Sequence, residues 1–304
     1  MTHSLAVVVV SYRTPALTSA AARSALESAA SVVVVVDNAS GDDTAERLWL
    51  IGDPRLTIIE NATNEGFGVA ANIAARSVAA DTLLFLNSDA ELYPEATTEM
   101  LAELAHWDGR AIVGPRLVGP GGEIQPSAGL LPAPSDLAIR ALGLHTIGRW
   151  MAARPLIGHV VRRSRLASEY ASAATATHAM DTNMVSGACF AVGREAFWEL
   201  GGFDERFFMY FEDADLCRRA RAAGMPIRFV PRAVVGHIVG ASSKGDYRFS
   251  PMHARSMRQY LEKWWGPTGA VLAVLLLWIR LLGHAATLRP GTGRALAALR
   301  AAVR

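Results

Sequence analysis

The apolar positions in the N-terminal third of the chain come in short unbroken runs, separated by Ala-rich stretches and polar turns. Leu5–Ser11 (LAVVVVS) ends in Tyr12-Arg13, a helix-like stretch opens at Thr14-Pro15 and reaches Ala30, and Val32–Val36 repeats the run before stopping at Asp37-Asn38-Ala39-Ser40-Gly41. An unbroken β-branched run suits a strand covered on both faces, and proline suits a first helical turn, where its missing N–H has no partner to lose. Strand, helix and strand at this spacing predict a βαβ unit. Asp42–Leu50 then reads as a helix, Leu56–Glu60 as a third strand, and Asn61–Asn72 (NATNEGFGVAAN) as a glycine-bearing turn into a helix that ends before Asp81. Thr82–Leu86 is a further buried strand, running straight into Asn87-Ser88-Asp89.

Downstream the pattern predicts a helix over Glu95–Trp107, a strand over Ala111–Val118 and a hairpin turn at Gly119–Gly122. A strand over Val185–Val192, a helix opening at Glu212 and reaching Ala223, and two short strands, Ile227–Pro231 and Val234–Gly236, follow. Residues 130–180 lose this regularity: apolar pairs alternate with Arg140, Arg149, Arg154, Arg162, Arg163 and Arg165, a basic amphipathic insertion suited to an acceptor groove, a lipid surface or a plain surface excursion. Beyond residue 243 a helix over Pro251–Trp265 is ended by Gly266-Pro267, and Gly269–Ile279 (GAVLAVLLLWI) is wholly apolar. Extending it to Leu288 reaches the ~20 residues of a bilayer span, but Arg280 then sits mid-span at a cost of about 2.5–3.5 kcal/mol. Arg280, His284 and Thr287 share one helical face, which favours a helix lying in the interface plane; Arg294–Arg304 repeats the idea with Leu296, Leu299 and Val303 on one side. The expected division is a domain over 1–243, carrying the insertion, and a membrane-associating helical tail over 244–304.

Charge sharpens that division. Residues 1–134 and 171–240 hold 14 Lys/Arg against 24 Asp/Glu, whereas 135–170 hold 6 against 2 and 241–304 hold 10 against 2, so the net +2 conceals an acidic body with basic appendages. Such asymmetry points the appendages at an anionic surface. With 304 residues, 51% of them hydrophobic, the chain can build a sizeable core, and Cys189 and Cys217 alone make no disulfide framework or zinc site. The N-terminus has no basic region ahead of its apolar run and reads as a first strand, so a cytoplasmic, reducing environment is expected.

The candidate chemistry collects where strands end. Open α/β sheets keep ligands at their carboxyl ends. A carboxylate there, Asp89, with an oxygen donor two residues before it, Asn87, suits a hard divalent cation holding a diphosphate; the competing reading has Asp89 merely capping a helix begun near Pro94. Gly66 and Gly68 allow close backbone approach to a ligand, ahead of a helix N-terminus that favours anions. Asp37 ends the second strand as acids do in folds that grip a nucleotide's ribose or base edge. No GxGxxG lies between the first two strands, which excludes a dinucleotide fingerprint.

Taken in order, Val9-Val10-Ser11-Tyr12, Asp37-Asn38-Ala39-Ser40, Asn64-Glu65-Gly66-Phe67-Gly68 through Asn72, and Asn87-Ser88-Asp89 resemble the nucleotide-sugar half of family 2 glycosyltransferases. Ser186-Gly187-Ala188, Gly201-Gly202-Phe203-Asp204 and Glu212-Asp213-Ala214-Asp215-Leu216 resemble the acceptor half, especially of the rhamnosyltransferase-like branch acting on lipid-linked or cell-envelope glycans. The resemblance covers residues 5–243 and implies the GT-A fold, a Rossmann-like mixed sheet flanked by helices. It further implies a donor site from Ser11, Tyr12, Arg13, Asp37, Asn64, Gly66, Gly68, Asn72, Asn87, Ser88 and Asp89. A metal site for Mg²⁺ or Mn²⁺ would use Asp89, Asn87 and His237, the last against the alternative of a structural histidine. Acceptor contacts would come from Ser186, Gly187 and Asp215, the last against the alternative of a first-turn acid that only favours its helix dipole. Asp213, with Glu212 beside it, would be the catalytic base of an inverting, metal-dependent sugar transfer, with rhamnose from dTDP-rhamnose the leading donor. The expected partners are the nucleotide sugar, the glycan acceptor and the cytoplasmic face of the cell membrane, held peripherally; no nucleic acid is expected. Many family members carry Asp-x-Asp where this chain has Asn87-Ser88-Asp89, which removes one charge from the metal set. Two rival classes are a sugar nucleotidyltransferase, which usually has a Gly-rich basic loop after strand one where this chain has Ser11-Tyr12-Arg13-Thr14-Pro15, and a catalytically silent, membrane-attached glycan-binding scaffold, against which Glu212-Asp213 counts.

Overall fold

The computed structural model describes residues 4–135, 173–238, 250–286, 297 and 300. Most of the basic insertion, including its six arginines, residues 239–249, and the tail after residue 286 lie outside the described residues, as do the side chains of Arg280 and His284.

The expected first βαβ unit is present. Strand β1 (Leu5–Ser11), helix α1 (Pro15–Leu26) and strand β2 (Val32–Asp37) are followed by α2 (Thr44–Trp49), β3 (Leu56–Glu60), α3 (Phe67–Ser77) and β4 (Thr82–Asn87). Next come β5 (Ala90–Leu92), α4 (Ala96–Ala105), β6 (Ile112–Val118), β7 (Ala128–Gly129), β8 (Met180–Thr182), β9 (Met184–Val185), β10 (Cys189–Gly193) and α5 (Arg194–Glu199). The described chain closes with α6 (Glu212–Ala222), β11 (Ile227–His237) and α7 (Pro251–Ala286). Among the described residues the main sheet has nine strands in the order β3-β2-β1-β4-β10-β6-β11-β5, with β8 also on β11. β3, β2, β1 and β4 run parallel; β10 is antiparallel to both β4 and β6.

The side-chain alternation of β1 explains why its sequence is unbroken. Leu5, Val7 and Val9 pack on one face with Ala21, Ala22 and Ala25 of α1 and Met100 and Leu104 of α4. Ala6 and Val8 pack on the other with Ala70, Ala71 and Ala74 of α3 and Leu216 and Ala220 of α6. Both faces are covered, so neither parity tolerates a polar residue. The small alanines let α1 and α3 lie close to the sheet. The later half of the chain is keyed onto the sheet by aromatics: the Phe85 ring of β4 lies 5.0 Å from each of Phe190, Phe197 and Phe203.

Three segmentations differ from expectation. The Val185–Val192 strand is two strands, β9 and β10, interrupted at Ser186-Gly187-Ala188. The two last short strands are one, β11, whose register against β6 shifts between Val230 and Val234; Pro231 falls in that irregularity, where a missing N–H is tolerated. The third is the domain boundary. α7 is two helices meeting at a non-helical Gly266 (φ 68°, ψ −159°), as its Gly-Pro pair predicts. Its first segment is not a tail, however, because Ala254, Met257, Tyr260 and Leu261 are buried with Phe207, Phe211 and Ala214 in a core shared with α6. A boundary at 243/244 would cut that core.

Gly66 and Gly68 also serve a purpose other than the expected one. Gly66 has φ 83° and its absent side chain leaves room for the Phe208 backbone, whose carbonyl accepts the Phe67 N–H at 2.8 Å. A Cβ on Gly68 would lie 3.3 Å from Phe203 Cβ. The two glycines thus let the loop before α3 close against the Phe203–Phe208 segment. Gly66→Ala combines a left-handed backbone with a main-chain overlap and is expected to cost about 1–3 kcal/mol or more; a Tm equal to wild type in a thermal melt would refute this packing role.

Candidate active site

Sheet register assembles the donor side. Ser11 pairs with Asp37 and Val10 with Asn87, so β1, β2 and β4 end level with one another. β1 lies between β2 and β4, and the chain reverses its direction of winding there, the position at which such sheets hold ligands. Two loops rim this edge and are laced together: the Asn38 amide donates to the Ser11 carbonyl at 2.9 Å, the Arg13 amide to Ser40 Oγ at 2.9 Å, and the Ser40 amide to Asp37 Oδ1 at 3.1 Å. Arg13 (φ 56°) and Ala39 (φ 60°) are held left-handed, a conformation that non-glycine residues keep only where surroundings impose it. The Arg13 guanidinium lies 5.0 Å over the Tyr12 ring, forming an exposed cationic and aromatic lip.

Not every expected donor residue reaches this lip. Ser11 is fully buried and its hydroxyl bonds Thr18 Oγ1 at 2.7 Å. Asn72 is buried too, its amide donating to the Phe203 carbonyl at 2.9 Å and accepting the Phe203 N–H at 3.0 Å, so it staples α3 to the acceptor half. Asn64 Oδ1 accepts from the Gly66 amide and from Asn38 Nδ2, which shapes the loop. Ser11, Gly66, Gly68 and Asn72 thus make their visible contacts within the protein. Tyr12, Arg13, Asp37, Asn87, Ser88 and Asp89 remain at the strand ends, with Ser88 Oγ 3.0 Å from Thr14 Oγ1.

Asp89 is followed at once by β5, so it caps no helix. β5 pairs antiparallel with the end of β11, His237 opposite Ala90, and the Ile238 amide donates to the Asp89 carbonyl at 2.9 Å. That register sets His237 Nε2 3.5 Å from Asp89 Oδ1. Among the described residues no three His, Cys, Asp or Glu side chains form a cluster that could hold a metal. One carboxylate and one imidazole nevertheless leave open positions around a divalent ion for a substrate diphosphate and water, the carboxylate being the ligand that Mg²⁺ or Mn²⁺ favours. Two ligands in one such shell lie about 3–3.5 Å apart, given bonds of about 2.0–2.2 Å. The donor set therefore fits a cation shared with the donor and is incomplete without it.

The acceptor side is built on the first turn of α6. Tyr210 (φ 71°) and Phe211 (φ 69°) are both left-handed, which aims the helix N-terminus, with Glu212, Asp213 and Asp215 in its first turn, toward Gly187. Asp213 Oδ2 accepts the Gly187 N–H at 2.9 Å and Oδ1 accepts the Ala214 N–H at 2.8 Å. A Cβ on Gly187 would lie only 3.0 Å from Asp213 Cβ, so glycine permits that approach. The neighbouring Ala188 carbonyl accepts the Asn87 N–H at 2.9 Å, which ties the acceptor turn to the end of β4. Burial pushes the Asp213 carboxyl up, against the pull of its backbone donors. Burial and then the Asp213 charge raise Glu212 to about 8, and its Oε2 has no hydrogen-bond partner among the described residues.

Asp215 does not fit the acceptor-contact expectation. It is fully buried, paired with Arg219 at 2.8 Å and Lys263 at 2.6 Å, and it accepts the Trp264 indole N–H at 3.0 Å. Lys263 also meets Asp204 at 2.7 Å. Burial raises the Asp204 carboxyl, but hydrogen bonds from Arg206 and Lys263 outweigh this and hold it well below the usual range. Asp215 therefore anchors α6 to α7. Sequence reasoning missed Lys263, Asn38 and Gln125; the Gln125 side chain bonds His237 twice. Cys189 and Cys217 are buried free thiols, the latter pushed up to about 12 by burial, and take no part in the site.

The fold and site belong to a known class. The chain is similar to GalNAc-T7 solved with UDP, GalNAc and Mn²⁺ (TM-score 0.59, 16% identity, 86% of this chain and 49% of that one). It is also similar to the mannosyltransferase PcManGT from Pyrobaculum calidifontis solved with GDP-Man and Mn²⁺ (TM-score 0.58, 18% identity, 99% and 86%). These likenesses give the class, the GT-A mixed sheet. Residues 3–259 match the family described as "Glycosyltransferase like family 2", and the chain belongs to that family and is a glycosyltransferase. A relative from Mycobacterium tuberculosis named N-acetylglucosaminyl-diphospho-decaprenol L-rhamnosyltransferase is 30% identical over 225 residues, 70% of this chain and 68% of that protein.

The raised Glu212 carboxyl carries a stability signature. A carboxyl near 4.3 when unfolded and about 8 when folded is protonated more tightly by the fold, so its contribution is intact below about pH 4 and is lost as pH rises toward 8. Wild-type Tm should therefore fall between pH 5 and pH 8, and Glu212→Gln, which cannot ionise, should flatten the fall. Parallel Tm–pH curves for the two proteins would refute the buried protonated state.

Proposed function

We propose that the chain transfers a sugar, with L-rhamnose from dTDP-rhamnose the leading donor, to a hydroxyl of a lipid-linked or cell-envelope glycan, with inversion. The observation that carries the catalytic part is Asp213: a carboxylate raised by burial and held by the Gly187 amide, whose neighbour Ala188 accepts the N–H of Asn87 at the end of β4. A base must be poised near working pH to take a hydroxyl proton, and burial moves Asp213 that way. In the reaction the acceptor oxygen bonds to the anomeric carbon while the bond from that carbon to the diphosphate oxygen breaks, and the hydroxyl proton passes to Asp213. A single displacement from the face opposite the diphosphate inverts configuration. The Asn87–Asp89 turn and His237 would hold Mg²⁺ or Mn²⁺, which when bound supplies Lewis-acid neutralisation of the leaving diphosphate. Arg13 and Tyr12 lie at the rim for the donor's nucleotide, and Ser186 and Gly187 for the acceptor. The sugar and acceptor are suggested by the M. tuberculosis relative's name together with the Ser-Gly-Ala and Glu-Asp elements.

Asp213→Asn keeps the hydrogen-bonding shape and loses the base. Transfer should fall by about 10²–10⁴-fold while nucleoside-diphosphate affinity stays within about twofold. Transfer at the wild-type rate would remove Asp213 from the chemistry; transfer from UDP-glucose, UDP-galactofuranose or GDP-mannose in place of dTDP-rhamnose would change the donor alone.

The reading includes peripheral attachment to the cytoplasmic face of the membrane. No described helix is long and apolar enough to cross a bilayer. The second segment of α7 instead has two unlike faces: Ala273, Leu276 and Leu277 are buried, while Val271, Leu275, Trp278, Ile279 and Leu282 are exposed. Residues 271, 275, 278 and 282 recur at helical spacing, so they form one apolar stripe. Basic residues outnumber acidic ones by 8 over 241–304, which draws such a stripe to anionic headgroups, with each nearby Lys or Arg worth on the order of 1 kcal/mol. Leu275→Glu with Trp278→Glu should abolish flotation with anionic vesicles at low salt and leave nucleoside-diphosphate binding unchanged. Undiminished flotation would move the anchor elsewhere in the chain.

A further inference from the structure

Gln125 follows the Gly119–Glu123 turn, and its backbone amide donates to the Leu117 carbonyl at 2.9 Å, fixing it beside the end of β6. β11 runs parallel to β6 with Gly236 opposite Val118, so His237 arrives next to this residue. The Gln125 amide meets His237 at two points. Nε2 lies 2.8 Å from the His237 backbone carbonyl, and Oε1 lies 2.8 Å from His237 Nδ1.

These two contacts decide a protonation pattern by elimination. A backbone carbonyl can only accept, so the face of the amide turned toward it has to be the NH₂. The amide oxygen then faces Nδ1, and because that oxygen also only accepts, Nδ1 must carry the hydrogen. In the neutral ring this leaves Nε2 without a proton, and Nε2 is the atom 3.5 Å from Asp89 Oδ1. Two lone pairs facing each other at that range repel unless a positive charge lies between them.

We infer that Gln125 is a positioning residue that locks His237 in the Nδ1–H tautomer and so holds Nε2 and Asp89 Oδ1 as a ready-made pair of ligands for the divalent cation of the donor complex. The inference rests on the metal reading above and adds to it the residue that orients the imidazole. An outer partner of this kind typically changes metal affinity by about 10–100-fold when removed. Such an effect needs no contact between Gln125 and the donor. It also separates Gln125 from the strand pairing that merely brings His237 close.

The test uses the full-length protein labelled with ¹⁵N-histidine, the His237 signals being identified by their loss in His237→Asn. In metal-free wild type at pH 8.5 the Nε2 resonance should be that of an unprotonated nitrogen and Nδ1 that of a protonated one. Gln125→Leu should shift the ring toward the Nε2–H form and weaken Mn²⁺ binding, titrated calorimetrically in the presence of dTDP, by about 10–100-fold. Gln125→Glu, which keeps an acceptor for Nδ1–H, should restore the wild-type tautomer and most of the Mn²⁺ affinity. An unchanged tautomer and unchanged Mn²⁺ affinity in Gln125→Leu overturn the inference, as does an Nε2–H or doubly protonated ring in wild type. Failure of Mn²⁺ to bind wild type with dTDP overturns the metal reading and the ligand-pair half of the inference with it, while the tautomer spectra separately decide whether Gln125 orients the ring. Thermal melts of both variants guard against an unfolded sample.

Discussion

The antiparallel pairing of β10 with β4 is the constraint on which the site depends. β4 belongs to the parallel donor sheet, and its last residue, Asn87, gives its N–H to Ala188 just before β10 begins. One residue earlier, Gly187 holds Asp213. The Asn87–Asp89 turn and Asp213 are therefore connected through one backbone hydrogen bond, Asn87 to Ala188, and one from the Gly187 N–H to the Asp213 carboxylate. The Phe85 cluster fixes the register of that pairing, since Phe85 lies opposite Phe190 and both pack against Phe203. Each such ring pair contributes about 0.5–1.5 kcal/mol beyond its burial, and a one-residue slip would turn the rings to the opposite face. Packing in the core thus determines where the chemistry can occur.

The three acids that open α6 share one helix terminus and meet three different environments. Asp215 is neutralised by Arg219 and Lys263 and becomes a structural anchor. Asp213 is held by backbone amides alone, which stabilise its charge without cancelling it. Glu212 is buried beside that charge with an oxygen that has no partner among the described residues, and both conditions favour its protonated form. The cations gather on Asp215, while burial leaves the Asp213 carboxyl raised. A buried charge stripped of one partner costs about 3–5 kcal/mol, so the Lys263 link ties α7 to α6.

How far the sequence could be read follows from which signals are local. β1, β2 and β4 were legible because both faces are covered and the apolar runs are unbroken, and the ends of those runs named Asp37, Asn87 and Asp89 directly. Gly66, Gly68 and Asn72 looked like ligand contacts, yet their partners are Phe203 and Phe208, more than a hundred residues away, and nothing nearby in sequence announces that packing. Asp215 sits in the same acidic tetrapeptide as Asp213, and only the arrival of Lys263 and Trp264 separates their roles. Gln125 has no periodicity and no charge. Its partner is 112 residues away, joined through a strand register that a single sequence does not reveal.

The kink at Gly266 reconciles two demands on α7 that one straight helix could not meet. The first segment must present Tyr260 and Leu261 to the core under α6, while the second must expose Leu275, Trp278 and Leu282. Gly266 adopts φ 68°, which a residue with a side chain would resist, and Pro267 follows where a helix can restart without its N–H. Gly269 then passes so near the Leu261 carbonyl that any Cβ would overlap it, which lets the second segment fold back onto the first. The apolar stripe is consequently braced against the same core that holds Asp213, with Ala273 and Leu277 reaching into it from the opposite face. A surface helix mounted in this way has a fixed orientation relative to α6 and its first turn.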